Sequence, residues 1–185
     1  MFGIIFLVIL VVIAVALVGS YNSLVQLRVR CDSAWSDIDV QLKRRHDLIP
    51  NLVETVKGYA SHESQVFEKV TQARAESMSA TSVKDTATAE TKLTGALTDL
   101  RAVAENYPNL KATENFQQLS RNLSELEDEI QASRRIYNSN VQAYNTDIQQ
   151  FPGSIIANQG NFTARQYFEI EDKSEREPVA VSFDK

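Results

Sequence analysis

The chain has 185 residues and a formal net charge of −5, from 19 Lys and Arg against 24 Asp and Glu. Its charges are spread without long basic blocks, which argues against the concentrated cationic face of a nucleic-acid binder. A single cysteine, Cys31, excludes an internal disulfide framework and any multi-cysteine metal site.

The first element is the uncharged apolar run from Phe2 to Gly19. At a helical rise of 1.5 Å per residue, about 18 such residues cover roughly 27 Å, close to the thickness of a bilayer's hydrocarbon core. Residues 1–20 are therefore predicted to form a transmembrane anchor. The alternative is a cleaved secretory signal, with Ala14-Val15-Ala16 as its small-residue site. Such signals open with positive charge and have apolar cores of only about 7–15 residues, whereas the first basic residue here is Arg28. Arg28 and Arg30, then Lys43, Arg44 and Arg45, all follow the run. This bias places the N-terminus outside and the body in the cytoplasm, with a periplasmic body as the alternative.

Between Tyr21 and Phe151 the only prolines are Pro50 and Pro108 and the only glycines Gly58 and Gly95, so long helices are permitted throughout. Leu24, Leu27, Cys31, Trp35, Ile38, Leu42, Ile49, Leu52 and Val56 recur at steps of three and four, with Arg45 as a charge on the stripe. The stripe keeps its phase across Pro50, which predicts a kinked or restarted helix there, and Val66, Phe67, Val70 and Ala73 extend it. Small residues then dilute the pattern from Ser77 to Thr88, and a turn is expected. Leu93, Leu97, Leu100, Val103 and Tyr107 form a second stripe ending at Pro108. Thr113 followed by Glu114 is placed to cap the last helix, whose stripe runs from Phe116 through Leu123, Ile130, Tyr137 and Tyr144 to Phe151.

One apolar stripe per helix must be buried against the others. The predicted fold is therefore all-α. A transmembrane helix leads into an antiparallel bundle of long helices over 21–151, similar to a four-helix bundle or coiled coil. A short extended C-terminal tail follows over 152–185. In the tail, Tyr167, Phe168 and Ile170, and then Val179, Val181 and Phe183, alternate as strands do. Three outcomes are open for them: docking on the bundle, pairing with each other, or adding to a neighbouring chain.

Catalytic signatures are missing. There is no Gly-rich phosphate loop, no Gly-x-Ser-x-Gly elbow and no His-Glu-x-x-His frame. His46 with Asp47 or Glu54 is a candidate metal pair, but no further ligands accompany it. No catalytic, cofactor-binding or metal residue is assigned. Cys31 lies on the apolar stripe and is expected to be a buried structural thiol. More distinctive are Tyr21-Asn22, Tyr137-Asn138 and Tyr144-Asn145, with the pairs Arg44-Arg45 and Arg134-Arg135. Asn138 and Asn145, seven residues apart, are placed to bond across helices and fix register, or else these Tyr and Arg residues form a docking surface. Arg45 on the stripe calls for a carboxylate, with Glu54 or Asp47 as the nearest in sequence.

The segments Tyr21-Asn22-Ser23-Leu24-Val25, Ala34 to Val53 (AWSDIDVQLKRRHDLIPNLV) and Ala102 to Lys111 (AVAENYPNLK), with Arg134-Arg135-Ile136-Tyr137-Asn138, Tyr144-Asn145 and Phe151-Pro152, resemble the LemA family of bacterial membrane proteins. The likeness covers nearly the whole chain, with Cys31 standing where a polar residue is expected. The resemblance implies an N-terminal span, an antiparallel bundle, a single-pass location in the bacterial inner membrane and no enzyme activity. Together with the stripes it points to a scaffold or adaptor that self-assembles or binds other membrane proteins; the alternative is an accessory factor of envelope quality control acting with a membrane protease. The residues expected to carry such interactions are Arg44, Arg45, His46, Asp47 and Asn51 near Pro50, and Arg134, Arg135, Tyr137, Asn138, Tyr144 and Asn145 on the last helix.

Overall fold

The computed structural model describes residues 1–169. Of the expected tail interface, Ile170, Val179, Val181 and Phe183 lie outside the described residues. The described part is all-α. Helix α1 spans Phe2–Lys57 without interruption, about 84 Å at the standard rise. Its apolar start stands clear of the body, with every large side chain from Phe2 to Val15 exposed, and it is the one described helix long and apolar enough to cross a membrane.

Pro50 does not restart the helix. Proline lacks the N–H that the carbonyl of His46 would accept, and Arg74 supplies a replacement by donating from Nε to that carbonyl at 2.7 Å. Arg74 belongs to α2 (Ser64–Ser79), which folds back along the far half of α1. Helix α3 (Val83–Glu105) runs antiparallel to α2, with Lys69 paired to Asp99 at 2.5 Å and Lys92 to Glu76 at 3.0 Å. The turn expected over Ser77–Thr88 is confined to 80–82. Ser82 caps α3 by accepting from the Asp85 N–H at 3.0 Å, while Ser77, Thr86, Ala87 and Ala89 are buried helical positions. These small side chains diluted the stripe without ending the helices.

After the single turn α4 (Pro108–Lys111), Thr113 caps α5 (Glu114–Asp147) by accepting from the Phe116 N–H at 3.4 Å. Helix α5 returns along α1, as the pairs Thr55 with Asn115, Arg45 with Glu127, Arg30 with Asn140 and Ser23 with Asp147 show. The segment expected to be extended from 152 begins instead with a helix, α6 (Gly153–Gly160). Ala157 enters the core and Ile156 packs against it, which gives this stretch an inner face to bury. Asn161 closes α6 in the left-handed conformation at φ 53°, and residues 162–169 carry neither helix nor strand.

The core is divided in two. The distal part joins Ile49, Leu52 and Val56 of α1 to Phe67 and Val70 of α2, Leu93, Leu97 and Leu100 of α3, and Phe116 and Leu123 of α5. The part nearer the apolar run joins Leu24, Cys31, Ile38 and Leu42 of α1 to Ile130, Tyr137, Val141 and Tyr144 of α5, closed by Ala157, Phe162 and Phe168.

Candidate functional site

Two polar constellations stand at and below the boundary between these cores. The upper one is a buried ion cluster. Arg45 is only 2 % exposed. Its guanidinium reaches Glu90 at 3.1 Å, Glu127 at 3.1 Å and the Thr94 hydroxyl at 2.8 Å, tying α1 to α3 and α5. The neighbouring His46 meets Glu90 at 2.9 Å and Ser77 at 2.8 Å through Nε2, and the Ser77 hydroxyl donates to the same Glu90 oxygen. Burial pushes the Glu90 carboxyl up, but the hydrogen bonds from His46 and Ser77 and the Arg45 charge outweigh it and hold it below its ordinary value. An ion buried this deeply is sustained only by such multiple partners.

Serine, histidine and glutamate in one cluster invite comparison with a hydrolytic triad, in which the ring uses its two nitrogens for nucleophile and acid. Here a single nitrogen serves both, and Glu90 is committed to Arg45, so no proton relay is formed. Beside the cluster lies a cavity of about 130 Å³ lined by Arg45, Glu90, Thr94, Glu127, Arg134 and Phe168. Among the described residues, Arg45 Nε is the buried side-chain nitrogen without a hydrogen-bond partner, and no group of three or more His, Cys, Asp or Glu is placed to hold a metal.

The lower constellation holds the tail. Asn138 and Asn145 each grip one tail residue by both of its backbone groups. Asn145 accepts from the Arg165 N–H and donates to its carbonyl, both at 2.9 Å. Asn138 accepts from the Phe168 N–H at 2.9 Å and donates to its carbonyl at 3.2 Å. The Tyr137 hydroxyl donates to the Gln166 carbonyl at 2.9 Å and Arg134 Nε to the Phe168 carbonyl at 2.8 Å. The Phe168 ring packs edge-on against Trp35, whose own ring lies 5.3 Å from Tyr137, and Arg165 pairs with Asp32 at 2.7 Å beside the Tyr144 ring. Burial raises the Tyr137 hydroxyl above its ordinary value, and it raises the Cys31 thiol too, with Arg165 opposing; Cys31 is an inert core thiol.

Several expected residues thus take different partners. Arg45 bonds Glu90 and Glu127, not Glu54 or Asp47, because α3 and α5 bring carboxylates to the inner face whereas Asp47 lies on the exposed side of α1. Asn138 and Asn145 read tail backbone and do not bridge helices. Arg45 and Arg134 share one cavity wall, while Arg44, Asp47, Asn51 and Arg135 face outward. Tyr167 is half-exposed and Phe168 buried, so the described tail docks on the bundle. Sequence reasoning passed over Glu90, Glu127, Ser77 and Arg74. Glu90 was marked by the same signal as Arg45, since Thr86, Glu90, Leu93 and Leu97 continue one stripe.

Fold and site define a class: an α-helical protein in which one N-terminal helix carries a candidate membrane span and continues into an antiparallel bundle locked by a buried ion cluster. The sequence pattern of the LemA family matches residues 34–183, and the chain belongs to that family. Protein LemA of Metamycoplasma hominis is 32% identical over 145 residues, covering 76% of this chain and 64% of its own length. Magnetosome protein MamQ 2 of Paramagnetospirillum magneticum is 25% identical over 175 residues, covering 80% of this chain and 64% of its own. Magnetosome protein MamQ of Magnetospirillum gryphiswaldense is 24% identical over 185 residues, with coverages of 86% and 68%. The chain thus spans about two thirds of the length of these relatives.

Proposed function

We propose that this protein is a non-enzymatic, membrane-anchored helical scaffold that assembles with itself or with other membrane proteins, its body on the cytoplasmic face of a bacterial inner membrane. The observation that carries this reading is the continuity of α1. A single helix runs from the exposed apolar segment to the far end of the bundle, with no hinge or linker between anchor and body. A body held that way is a fixed strut, which suits a protein whose task is to position others. The Arg45–Glu90–His46 cluster supports a structural role in the same sense, since its carboxylate, its imidazole and the two terminal guanidinium nitrogens are engaged with neighbouring helices. In this reading residues 1–20 form the anchor, the helices from 21 onward the strut, and the tail closes the strut's half next to the anchor.

The deciding experiment is the native mass of the full-length protein extracted in mild detergent, with every co-purifying chain identified. A defined homo-oligomer or a stoichiometric membrane-protein partner is expected. An isolated monomer that captures nothing specific overturns the proposal.

A further inference from the structure

Phe151 continues the apolar stripe of α5 yet is 81% exposed. Its height on the molecule follows from how α5 pairs with α1. Asn140 donates to the Arg30 carbonyl at 3.4 Å, and seven residues on, Asp147 accepts from the Ser23 hydroxyl at 3.2 Å. The two helices step together, so the turn just past Asp147 stands level with the end of the apolar run at Gly19. Helix α6 stays at that end too. It starts against Asp147, whose carbonyl lies so near Gly153 that a side-chain Cβ there would fall 2.2 Å away. It finishes beside Tyr21, on which Phe162 packs edge-on at 5.8 Å. The α6 segment therefore lies across the foot of the bundle instead of climbing it, with Ile155 turned outward at 44% exposed and Tyr21 at 48%.

Composition agrees with the placement. From Ile148 to Ala164 the chain carries no charged residue, although 23% of the whole is charged. Exposed aromatic and aliphatic side chains with uncharged polar neighbours, gathered where an apolar helix emerges, are the composition of a membrane–water interface.

We propose that the turn after α5 and helix α6 form a second membrane contact, seating Phe151 and Ile155 at the headgroup–acyl boundary of the bilayer that α1 enters. The partner is the lipid surface itself. Two contacts instead of one fix the tilt and rotation of the strut. The inference rests on the anchored reading of α1, and its test separates the two.

The full-length protein is reconstituted into phosphatidylcholine–phosphatidylglycerol vesicles whose acyl chains carry bromine, a short-range quencher of tryptophan. The native chain has one tryptophan, Trp35, placed by the helical rise about 24 Å beyond Gly19 along α1, so its emission is expected to be unaffected. Ile13→Trp reports insertion of the anchor, and Phe151→Trp reports the foot. Quenching of the added emission in both variants is the expected result. Quenching of Ile13→Trp with an unquenched Phe151→Trp overturns the second contact while leaving the anchor intact. Loss of quenching in both overturns the anchored reading, and this contact with it.

Discussion

The distal half of the bundle and the half next to the apolar run solve one packing problem with different material. Distally, α1, α2, α3 and α5 each contribute an apolar stripe, and four helices enclose a core that Ala60 and Leu110 complete from the turns. Next to the apolar run α1 and α5 are joined by α3 only through its first residues, Val83 and Ala87, and two helices cannot cover each other's stripes. The missing wall is supplied by Ala157, Phe162 and Phe168 from the segment after α5. Because residues 162–169 form no helix or strand, their backbone groups need partners from elsewhere, and Asn138, Asn145, Tyr137 and Arg134 provide them. The proximal core also relies on larger rings, Trp35, Tyr137, Tyr144 and Phe168, to fill the space that whole helices fill distally. The ion cluster of Arg45, His46, Ser77, Glu90 and Glu127 sits where one solution hands over to the other.

The largest effect is expected at that handover. Glu90→Ala leaves Arg45 buried with one carboxylate and deprives His46 and Ser77 of their shared acceptor, at an expected cost of about 3–5 kcal/mol in denaturant unfolding. Both halves should weaken together by hydrogen exchange. Replacing Arg45 and Glu90 jointly by Leu should recover most of the loss, since apolar substitutes for a buried pair are commonly tolerated. Full cost persisting in the double variant would mean that the remaining cluster, not the pair, requires the charges.

A cavity in the distal core should separate the halves. Leu100→Ala removes a fully buried side chain and is expected to cost about 3 kcal/mol. Exchange should accelerate in α2 and α3 while the Arg165 and Phe168 amides stay protected. The converse perturbation is smaller. Asn138→Ala combined with Asn145→Ala removes four hydrogen bonds to the tail, and at a net worth near 1 kcal/mol each, offset by new tail freedom, about 2 kcal/mol is expected. The Arg165 and Phe168 amides should then exchange freely and Trp35 emission shift to the red, with the distal half unchanged. A Trp35 spectrum identical to the parent's would show that Phe168 holds the tail without the amides.

These contrasts explain what the sequence disclosed. The order of the long stripes and their inner faces were legible because apolar residues at three-four spacing report burial directly, and Thr113 announced its own cap. The stripe expected to continue through Val66, Phe67, Val70 and Ala73 is instead broken after Lys57, where the chain turns and α2 folds back. At Pro50 the restart alternative was overruled by a distant partner, and the turn expected over Ser77–Thr88 is there but confined to 80–82. Arg74 replaces the donor that Pro50 lacks, and Ser77 of α2 with Thr86, Ala87 and Ala89 of α3 are buried helical positions on either side of the turn. The Asn138–Asn145 spacing identified a special face but not what lies on it, since an amide at helical spacing suits a neighbouring helix as well as a backbone. Arg45 advertised a buried carboxylate, yet proximity along the chain favoured Asp47 and Glu54, and only the placement of α3 and α5 selects Glu90 and Glu127.

Mild acid is the gentlest way to divide the halves, and its sign is fixed by Glu90. In the unfolded chain this carboxyl takes up a proton near the ordinary value of 4.5, whereas in the folded protein its hydrogen bonds and Arg45 hold the proton off to lower pH. Between these values the unfolded state binds more protons, so the stability contributed by the cluster is complete above about pH 4.5 and drains away as pH falls through the folded value. At Phe168 the tail clamp consists of the Asn138 amide, Arg134 and aromatic rings, with no carboxylate among these contacts; the Asp32 carboxylate lies at the Arg165 end. Acidification should therefore loosen the exchange of α3 around Glu90 before that of the Phe168 amide, and Glu90→Gln should flatten the acid limb of the unfolding curve. Stability that instead rises on acidification below pH 4.5 would show that Glu90 is buried as the neutral acid, which would leave Arg45 to Glu127 alone.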